Sequence, residues 1–385
     1  MPSYIHAPFF DPTLNTGYTT TVANGGTVSY GDPQTGGHPP RYQNWSVGLQ
    51  HAFTNTFTLT VNYVASNGHF LGGGSRSAWG NQIQSKYMKL GNLLTSKASA
   101  TTIAQAAAVF PEIHLPYANY AGSIAQMLQQ FPQYQTVSDV FGEVGNSNFN
   151  SLQVTAAKRL SYGLTFNVNY TFQKAFDDLS SRSSWWTEKA QALDSPQMLN
   201  ATVVYNLPFG KGRMFSGNPI LNKVAGGWQI SGITTFRAGS GLGSIAGSCN
   251  LPSAGSCYVD LNPNFSGPVR IGGNAADANL KAATPPVFLD KNAFLNPAAY
   301  TYGTSPRSMV YKLRNANSFN ESLSLKREFK PLERITMVFQ ADVSNPTNFV
   351  IFGNPSTSFT STSFGTITSQ ANGPRYLQLS ARVKF

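Results

Sequence analysis

Apolar and polar residues alternate along nine stretches of the chain. From Leu164, one set of positions holds Leu164, Phe166, Val168, Tyr170 and Phe172, while the intervening set holds Thr165, Asn167, Asn169, Thr171 and Gln173. A two-residue period marks a strand with one apolar and one polar face. Residues 57–66 repeat it, with Phe57, Leu59, Val61, Tyr63 and Ala65 against Thr58, Thr60, Asn62 and Ser66. Both stretches carry Val-Asn-Tyr at the same phase, which points to a repeating hairpin unit. Residues 335–344 alternate in the same way, and further strands are predicted over 45–53, 152–160, 199–207, 228–238, 319–329 and 377–385. Each is about the 9 to 11 residues that a tilted strand needs to cross a bilayer, and longer than the roughly 5 to 6 residues common in soluble sandwiches. The apolar faces are rich in Phe and Tyr, as expected where rings meet headgroups.

The connections between these stretches alternate between short and long. Residues 54–56, 161–163 and 330–333 are short, 208–227 is of medium length, and 67–149, 177–198, 239–317 and 345–374 are long. Outer-membrane barrels have short turns on the periplasmic side and long loops outside. The pattern therefore predicts an all-β chain: a transmembrane antiparallel β-barrel segment of about nine strands. In this reading residues 1–40 are a loop or an incomplete preceding segment, and 41–385 are the C-terminal portion of a barrel in the bacterial outer membrane. Large extracellular loops lie near 67–149, 239–317 and 345–374. Two short helices are expected in the first of these, over 101–110 and 123–131, stopped by Pro111 and Pro132. A third is expected over 276–283.

Composition supports this picture. Only 11% of residues are charged, which is low for a soluble chain of 385 residues, yet mean hydropathy is slightly negative at −0.20. No stretch approaches the ~18 consecutive apolar residues of a spanning helix. Barrel strands average out in this way because lipid-facing and lumen-facing residues alternate. The set Thr165, Asn167, Asn169, Thr171 and Gln173 is accordingly assigned to the lumen. The formal net charge of +11 is dispersed, and its tightest groupings, Lys158-Arg159, 211–213 and 326–334, fall beside short turns. That is a solvated rim and not a nucleic-acid footprint.

Cys249 and Cys257 lie in a loop rich in Gly, Ser and Pro, with too few residues between them, and too few His or carboxylates, for a zinc site. A small loop-closing disulfide is the reading, and it belongs to an oxidising compartment. The N-terminus lacks a basic region followed by an apolar one, so it is not a signal peptide. An exported barrel requires one, and the expectation is that the chain starts inside a longer protein. The last predicted strand places Leu377, Leu379, Ala381, Val383 and Phe385 at alternate positions. A terminal aromatic on such a strand resembles the signal recognised by the outer-membrane barrel-assembly machinery.

Several motifs recur in order: Asn44-Trp45-Ser46-Val47-Gly48-Leu49-Gln50, Gly122 to Tyr134, Phe149-Asn150-Ser151-Leu152-Gln153-Val154 and Leu207-Pro208-Phe209-Gly210-Lys211-Gly212. They continue with Gly226-Gly227-Trp228-Gln229-Ile230-Ser231-Gly232, Phe352-Gly353-Asn354-Pro355, Phe364-Gly365 and Pro374-Arg375. Through them the chain resembles the Oar-like branch of TonB-dependent outer-membrane transporters. The resemblance implies a twenty-two-stranded barrel plugged by an N-terminal domain, often preceded by a carboxypeptidase-regulatory-like β-sandwich. The implied partners are outer-membrane lipid and lipopolysaccharide, the barrel-assembly machinery, the TonB complex through an upstream plug, and a small-molecule, glycan or peptide substrate.

Catalytic chemistry is not expected. His6, His38, His51, His69 and His114 fall in no recognisable motif, and no cofactor or metal site is assigned. Gly210-Lys211-Gly212-Arg213 lacks the spacer and the Ser/Thr of a phosphate loop and reads as a basic turn. Asp177, Asp178 and Asp260 could ligate calcium only as part of a set of 6 to 8 oxygens, and solvated loop carboxylates are the simpler reading. The alternative function is a soluble all-β binding or adhesion protein that stacks its aromatic residues on sugars.

Overall fold

The computed structural model describes residues 27–30, 38–72, 81–118, 120–134, 136–139, 142–179, 190–191, 194–210, 214–215, 220, 222, 226–252, 255–272, 287–308, 310–332 and 334–385. Nine long strands form one sheet: β1 (Arg41–Thr54), β2 (Phe57–Leu71), β3 (Gly145–Ser161), β4 (Leu164–Asp177), β5 (Gln197–Asn206), β6 (Trp228–Arg237), β7 (Ser318–Leu332), β8 (Ile335–Ser344) and β9 (Tyr376–Lys384). Each pairs antiparallel with the next, so the sheet is an up-and-down meander in chain order. The short strand Ala190–Gln191 adds to the outer end of β4. Away from the sheet, Thr27–Tyr30 runs parallel to Thr136–Asp139, and Asp260–Leu261 pairs with Phe294–Leu295.

Three short connections lie at one end together with the medium one of 207–227, and the other four connections, all long, lie at the opposite end. Asn55-Thr56, Tyr162-Gly163 and the β7–β8 turn are tight, whereas residues 72–144, 178–196, 238–317 and 345–375 are long. At the β3–β4 hairpin both turn residues have positive φ, 51° at Tyr162 and 82° at Gly163, the geometry that matches the twist of the flanking strands. A Cβ on Gly163 would lie 2.6 Å from the Asn206 carbonyl oxygen, so glycine is needed there for space as well.

The register keeps the two faces separate across the whole sheet. One row reads Leu49, Val61, Val154, Tyr170, Leu199, Phe236 and Phe319 across β1 to β7. Further toward the turns another reads Leu164, Tyr205, Ile230, Leu325, Ala341 and Leu379 across β4 to β9. The opposite face carries Thr60, Thr155, Asn169, Asn200, Thr235 and Asn320, and then Thr165, Val204, Ser231, Ser324, Asp342 and Gln378. Because side chains alternate across a strand, these rows define one broad apolar wall and one mainly polar wall.

Burial is inverted relative to a water-soluble protein. Val47, Leu49 and Leu379 on the apolar wall are 72%, 73% and 74% exposed. The large side chains that are fully buried, among them Phe288, Phe294, Ile83, Leu94, Ile124 and Ile367, all belong to the long connections. An uncovered apolar surface nine strands wide far exceeds what a soluble monomer presents. Lipid is the medium that covers such a surface.

The long connections build a cap with its own cores. The first folds through a 3-10 stretch (Ser85–Thr95), α1 (Ala100–Val109) and the single turn α2 (Ile124–Met127). Ser99 and Ser123 each close a capping box at the start of the helix that follows, satisfying otherwise orphaned N–H groups. Ile83, Leu90, Leu94, Ala106, Ile124 and Met127 form a cluster against which Leu251, Tyr300 and Tyr302 of the third connection pack. A second cluster joins the third connection to the fourth, through Ile245, Val259, Phe288, Phe294, Phe352, Phe364 and Ile367. Hydrogen bonds cross the same joints, from the Tyr300 hydroxyl to Asn92 Oδ1 (2.6 Å) and from the Phe288 N–H to the Gly365 carbonyl (2.6 Å).

Nine strands are observed where alternation predicts nine, but the first four run further toward the cap. β2 ends at Leu71 and β3 begins at Gly145, so the first loop is shorter than the expected 67–149. Ladder hydrogen bonds continue past the point where apolar contrast fades, and alternation cannot see that part. The helix expected over 123–131 is only one turn, closing at Leu128. The 3-10 stretch was not expected. The helix predicted over 276–283 and the basic turn 211–213 lie outside the described residues.

Candidate functional site

The residues assigned from sequence to a lumen, Thr165, Asn167, Asn169, Thr171 and Gln173, share one face of β4, flanked by Ser151, Gln153, Thr155 and Ala157 of β3 and by Met198, Asn200, Thr202 and Val204 of β5. They are linked side chain to side chain. The Thr155 hydroxyl donates to Asn169 Oδ1 (2.9 Å), and Asn169 Nδ2 donates to Asn167 Oδ1 (2.7 Å). Thr165 Oγ1 donates to the Lys158 carbonyl (2.7 Å). Near the turn end this wall is hollowed into a cavity of about 740 Å³, lined by Ala52, Thr58, Ala157, Asn167, Thr202 and Val204 among others. Those six come from five adjacent strands and one face, while Lys158 and Phe166 of the apolar face and the 54–56 turn complete the lining at the sheet's turn-end edge.

At the loop end the polar wall meets the cap through charge. Arg307 reaches from the third connection to Asp177, the last residue of β4 on the polar face, with Nη2 2.7 Å from Oδ1 and a second bond of 3.1 Å to the Asp177 carbonyl. Both side chains are under one fifth exposed, 16% and 18%, so solvent screens this pair less than a surface ion pair. Arg314 repeats the device on Asp194, 3.5 Å from Oδ1 and 2.8 Å from the backbone oxygen. Asp194 in turn accepts from the Ala175 N–H of β4 (2.9 Å). Two arginines of one loop therefore hold it over the polar side of the sheet at its loop end.

Asp177 is consequently no solvated loop carboxylate, as its sequence context suggested, but the strand-end partner of an arginine. Asp178 accepts from the backbone N–H and the side-chain amide of Asn146 (2.6 and 3.1 Å), and Asp260 lies in the short pairing with Leu295. Among the described residues no group of three or more His, Cys, Asp and Glu side chains is placed to hold a metal ion. Cys249 and Cys257 are joined as a disulfide within the third connection, with Cα atoms 5.9 Å apart. Leu377, Leu379, Ala381 and Val383 lie on the apolar face of β9, opposite Val343, Ala341, Phe339 and Met337, and Phe385 follows the strand almost fully exposed.

Burial in the first cap cluster pushes the Tyr120 phenol well above its ordinary pKa, with a smaller push from Tyr117. The Tyr120 hydroxyl donates to the Ser123 carbonyl (2.9 Å), which ties the residue to the start of α2. The exposed Lys86–Glu112 pair (2.9 Å) holds the Glu112 carboxyl down and the Lys86 ammonium up, chiefly through their hydrogen bond.

A membrane-facing apolar wall, a mainly polar opposite wall and an up-and-down meander with four long loops at one end are the features of an outer-membrane β-barrel. The chain belongs to the outer membrane beta barrel domain family, which matches it over residues 2–378, and this places it in the bacterial outer membrane. No curated protein matches the chain. Among solved structures it is similar to the outer membrane transporter YddB from Escherichia coli, at 11% identity and a TM-score of 0.38, over 94% of this chain and 34% of that one. It is also similar to the pyoverdine outer membrane receptor FpvA from Pseudomonas aeruginosa PAO1 bound to pyoverdine, at 9% identity and a TM-score of 0.38, over 92% of this chain and 31% of that one. The chain thus spans about a third of the length of these proteins.

Proposed function

We propose that the chain is the C-terminal portion of a TonB-dependent outer-membrane transporter of the Oar-like kind, and not an enzyme. The reading rests on one observation above the others: the polar wall of β3 to β5, centred on Thr155, Asn167, Asn169 and Asn200, is made of uncharged hydroxyls and amides and lies beneath a cap pinned by Arg307 and Arg314, whereas Lys326, Asp342 and Arg382 sit on the same face of β7 to β9. Such a wall offers both donors and acceptors with little fixed charge, which suits a glycan, a peptide or a chelate better than a bare ion. Among the described residues the two sheet edges, β1 and β9, have partners on one side only, which supports a barrel completed by further strands. The ordered motifs from Asn44 to Arg375 support the branch.

The experiment is uptake in the bacterium that encodes the chain. Labelled oligosaccharides, peptides and metal chelates are offered to the wild type, to a strain lacking this gene and to a strain lacking TonB. A compound whose uptake is lost in both deletions is the expected result. Equal uptake of every compound in all three strains would remove the proposal.

A further inference from the structure

Positive charge collects at the turn end of the sheet. Residues 158–163, 207–227, 328–334 and 382–385 hold nine Lys and Arg residues against two Glu. The neighbouring Lys326 and Arg327 are engaged within the chain, Lys326 at 3.8 Å from Glu328 and Arg327 over the rings of Trp228 and Phe329 (5.4 and 5.3 Å). Lys158 and Arg159 are not: among the described residues neither has an acidic partner.

These two cations line one notch. The β1–β2 turn closes at Thr54 and Phe57, and the last rung from it to β3 is the Arg159 N–H to the Thr56 carbonyl (2.8 Å). The β3–β4 hairpin runs on past that rung to Tyr162 and Gly163, which leaves a step in the turn-end edge. The cavity of about 740 Å³ reaches into this step and takes its lining from both faces of the sheet, with Lys158 from the apolar face, Asn167 from the polar one, Arg159, and Thr54, Asn55 and Thr56 from the turn. The turn is held from within, since Thr54 Oγ1 accepts the Phe57 N–H (3.0 Å). Asn167 uses its oxygen to accept from Asn169 (2.7 Å), so its two amide N–H donors remain for a ligand, as do those of Asn55. An ammonium, a guanidinium and two carboxamides in one notch suit a carboxylate on a molecule with further acceptors. Tyr162 stands at the tip of the adjoining hairpin, 97% exposed, and offers a ring face to a sugar.

We propose, resting on the reading of the turn end as periplasmic, that this notch binds the carboxylate-bearing peptide stem of the peptidoglycan. That polymer underlies the outer membrane and carries short peptides with free carboxylates on a sugar backbone, which matches the cations, the amides and the exposed ring together. An inner-leaflet phosphate would approach along the apolar face, meet Lys158 and leave Asn167 unused. An acidic protein segment would use the cations and leave the Tyr162 ring without a sugar.

The test uses the full-length protein extracted from its own outer membrane in mild detergent, titrated by native mass spectrometry. The probes are a soluble disaccharide–tetrapeptide released from the cell wall, the same compound with its carboxyls amidated, a tetraglutamate peptide and phosphatidylglycerol. Wild type is expected to prefer the native disaccharide–tetrapeptide about tenfold over each of the others. The double variant Lys158→Gln/Arg159→Gln should lose that preference, and Asn55→Asp, which adds a repelling charge at nearly constant shape in an exposed turn, should lose it too. Lys330→Gln/Arg334→Gln removes the same charge from another turn and should keep it. Heat-modifiable mobility confirms that each variant is folded. Binding of none of the probes, equal binding of the amidated compound, tetraglutamate or phosphatidylglycerol, unchanged preference in the folded Asn55→Asp or Lys158/Arg159 variant, or an equal loss in the Lys330/Arg334 variant would each overturn the proposal. Failure of the orientation itself shows separately, as labelling of Tyr162→Cys in intact cells by a membrane-impermeant maleimide.

Discussion

Val168 and Asn167 are chain neighbours with opposite surroundings. Val168 lies in the apolar row between Ala156 and Ala201, and Asn167 lies in the polar row between Ala157 and Thr202. A one-residue slip of register would exchange them and every residue like them. Arginine at a lipid-facing midplane position costs roughly 2 to 4 kcal/mol, and far less where it meets water. Val168→Arg should therefore lower refolding stability in lipid by that amount while Asn167→Arg has a small effect, as read from denaturant midpoints of the complete barrel. Equal costs would mean that the two walls do not separate lipid from lumen. Gly163 supplies a second test at this scale. With φ at 82° and the Asn206 carbonyl oxygen where a Cβ would sit, Gly163→Ala should destabilise the β3–β4 hairpin by about 1 to 2 kcal/mol from the left-handed backbone alone.

At the scale of elements the cap and the sheet should come apart separately, because they are held by different forces. Removing Arg307 leaves the Asp177 carboxylate four-fifths covered without its partner, and a deserted group of this kind costs about 1 to 3 kcal/mol. Arg307→Ala should speed proteolysis of the third connection and leave the heat-modifiable mobility of the sheet unchanged; simultaneous loss of both would show that cap and sheet are one unit. The cap should also respond to alkali. In the unfolded chain the Tyr120 phenol titrates near its ordinary 10.0, and in the cluster burial keeps it protonated to higher pH. Above pH 10 the unfolded state binds fewer protons, so cap stability falls as pH rises. Near-ultraviolet circular dichroism should follow that loss, and Tyr120→Phe should blunt it. The sheet was legible in the sequence because lipid and water impose opposite demands on adjacent residues, as between Asn167 and Val168. The cap was legible only in pieces, the helix α1 and the Cys249–Cys257 disulfide. Its cores join residues far apart, such as Leu94 with Tyr300 and Phe288 with Phe364, and its latch pairs Arg307 with a residue 130 positions away. Neither has a local period.

For the whole molecule the proposed reading turns on the number of strands. β1 runs from the cap end at Arg41 to the turn end at Thr54, and β9 runs the same way, from Tyr376 to Lys384, because an even number of antiparallel steps separates them. Laid side by side, these two edges would be parallel. An antiparallel barrel of the bacterial single-chain kind closes with an even number of strands, so on the proposed reading an odd number of others would stand between β9 and β1. Left alone, each edge is a row of unpaired N–H and C=O groups that lipid cannot satisfy and that invites association with other chains. The nine-stranded sheet refolded without further strands should associate with itself and show no compact, heat-modifiable monomer on electrophoresis. Leu49→Cys and Leu379→Cys, placed on the outer faces of the two edge strands, should give no intramolecular disulfide under oxidation. A heat-modifiable monomer that also forms this crosslink would mean that β1 and β9 meet directly in a parallel seam, and the wall would then be a closed nine-stranded barrel too narrow for the route proposed along its inner face.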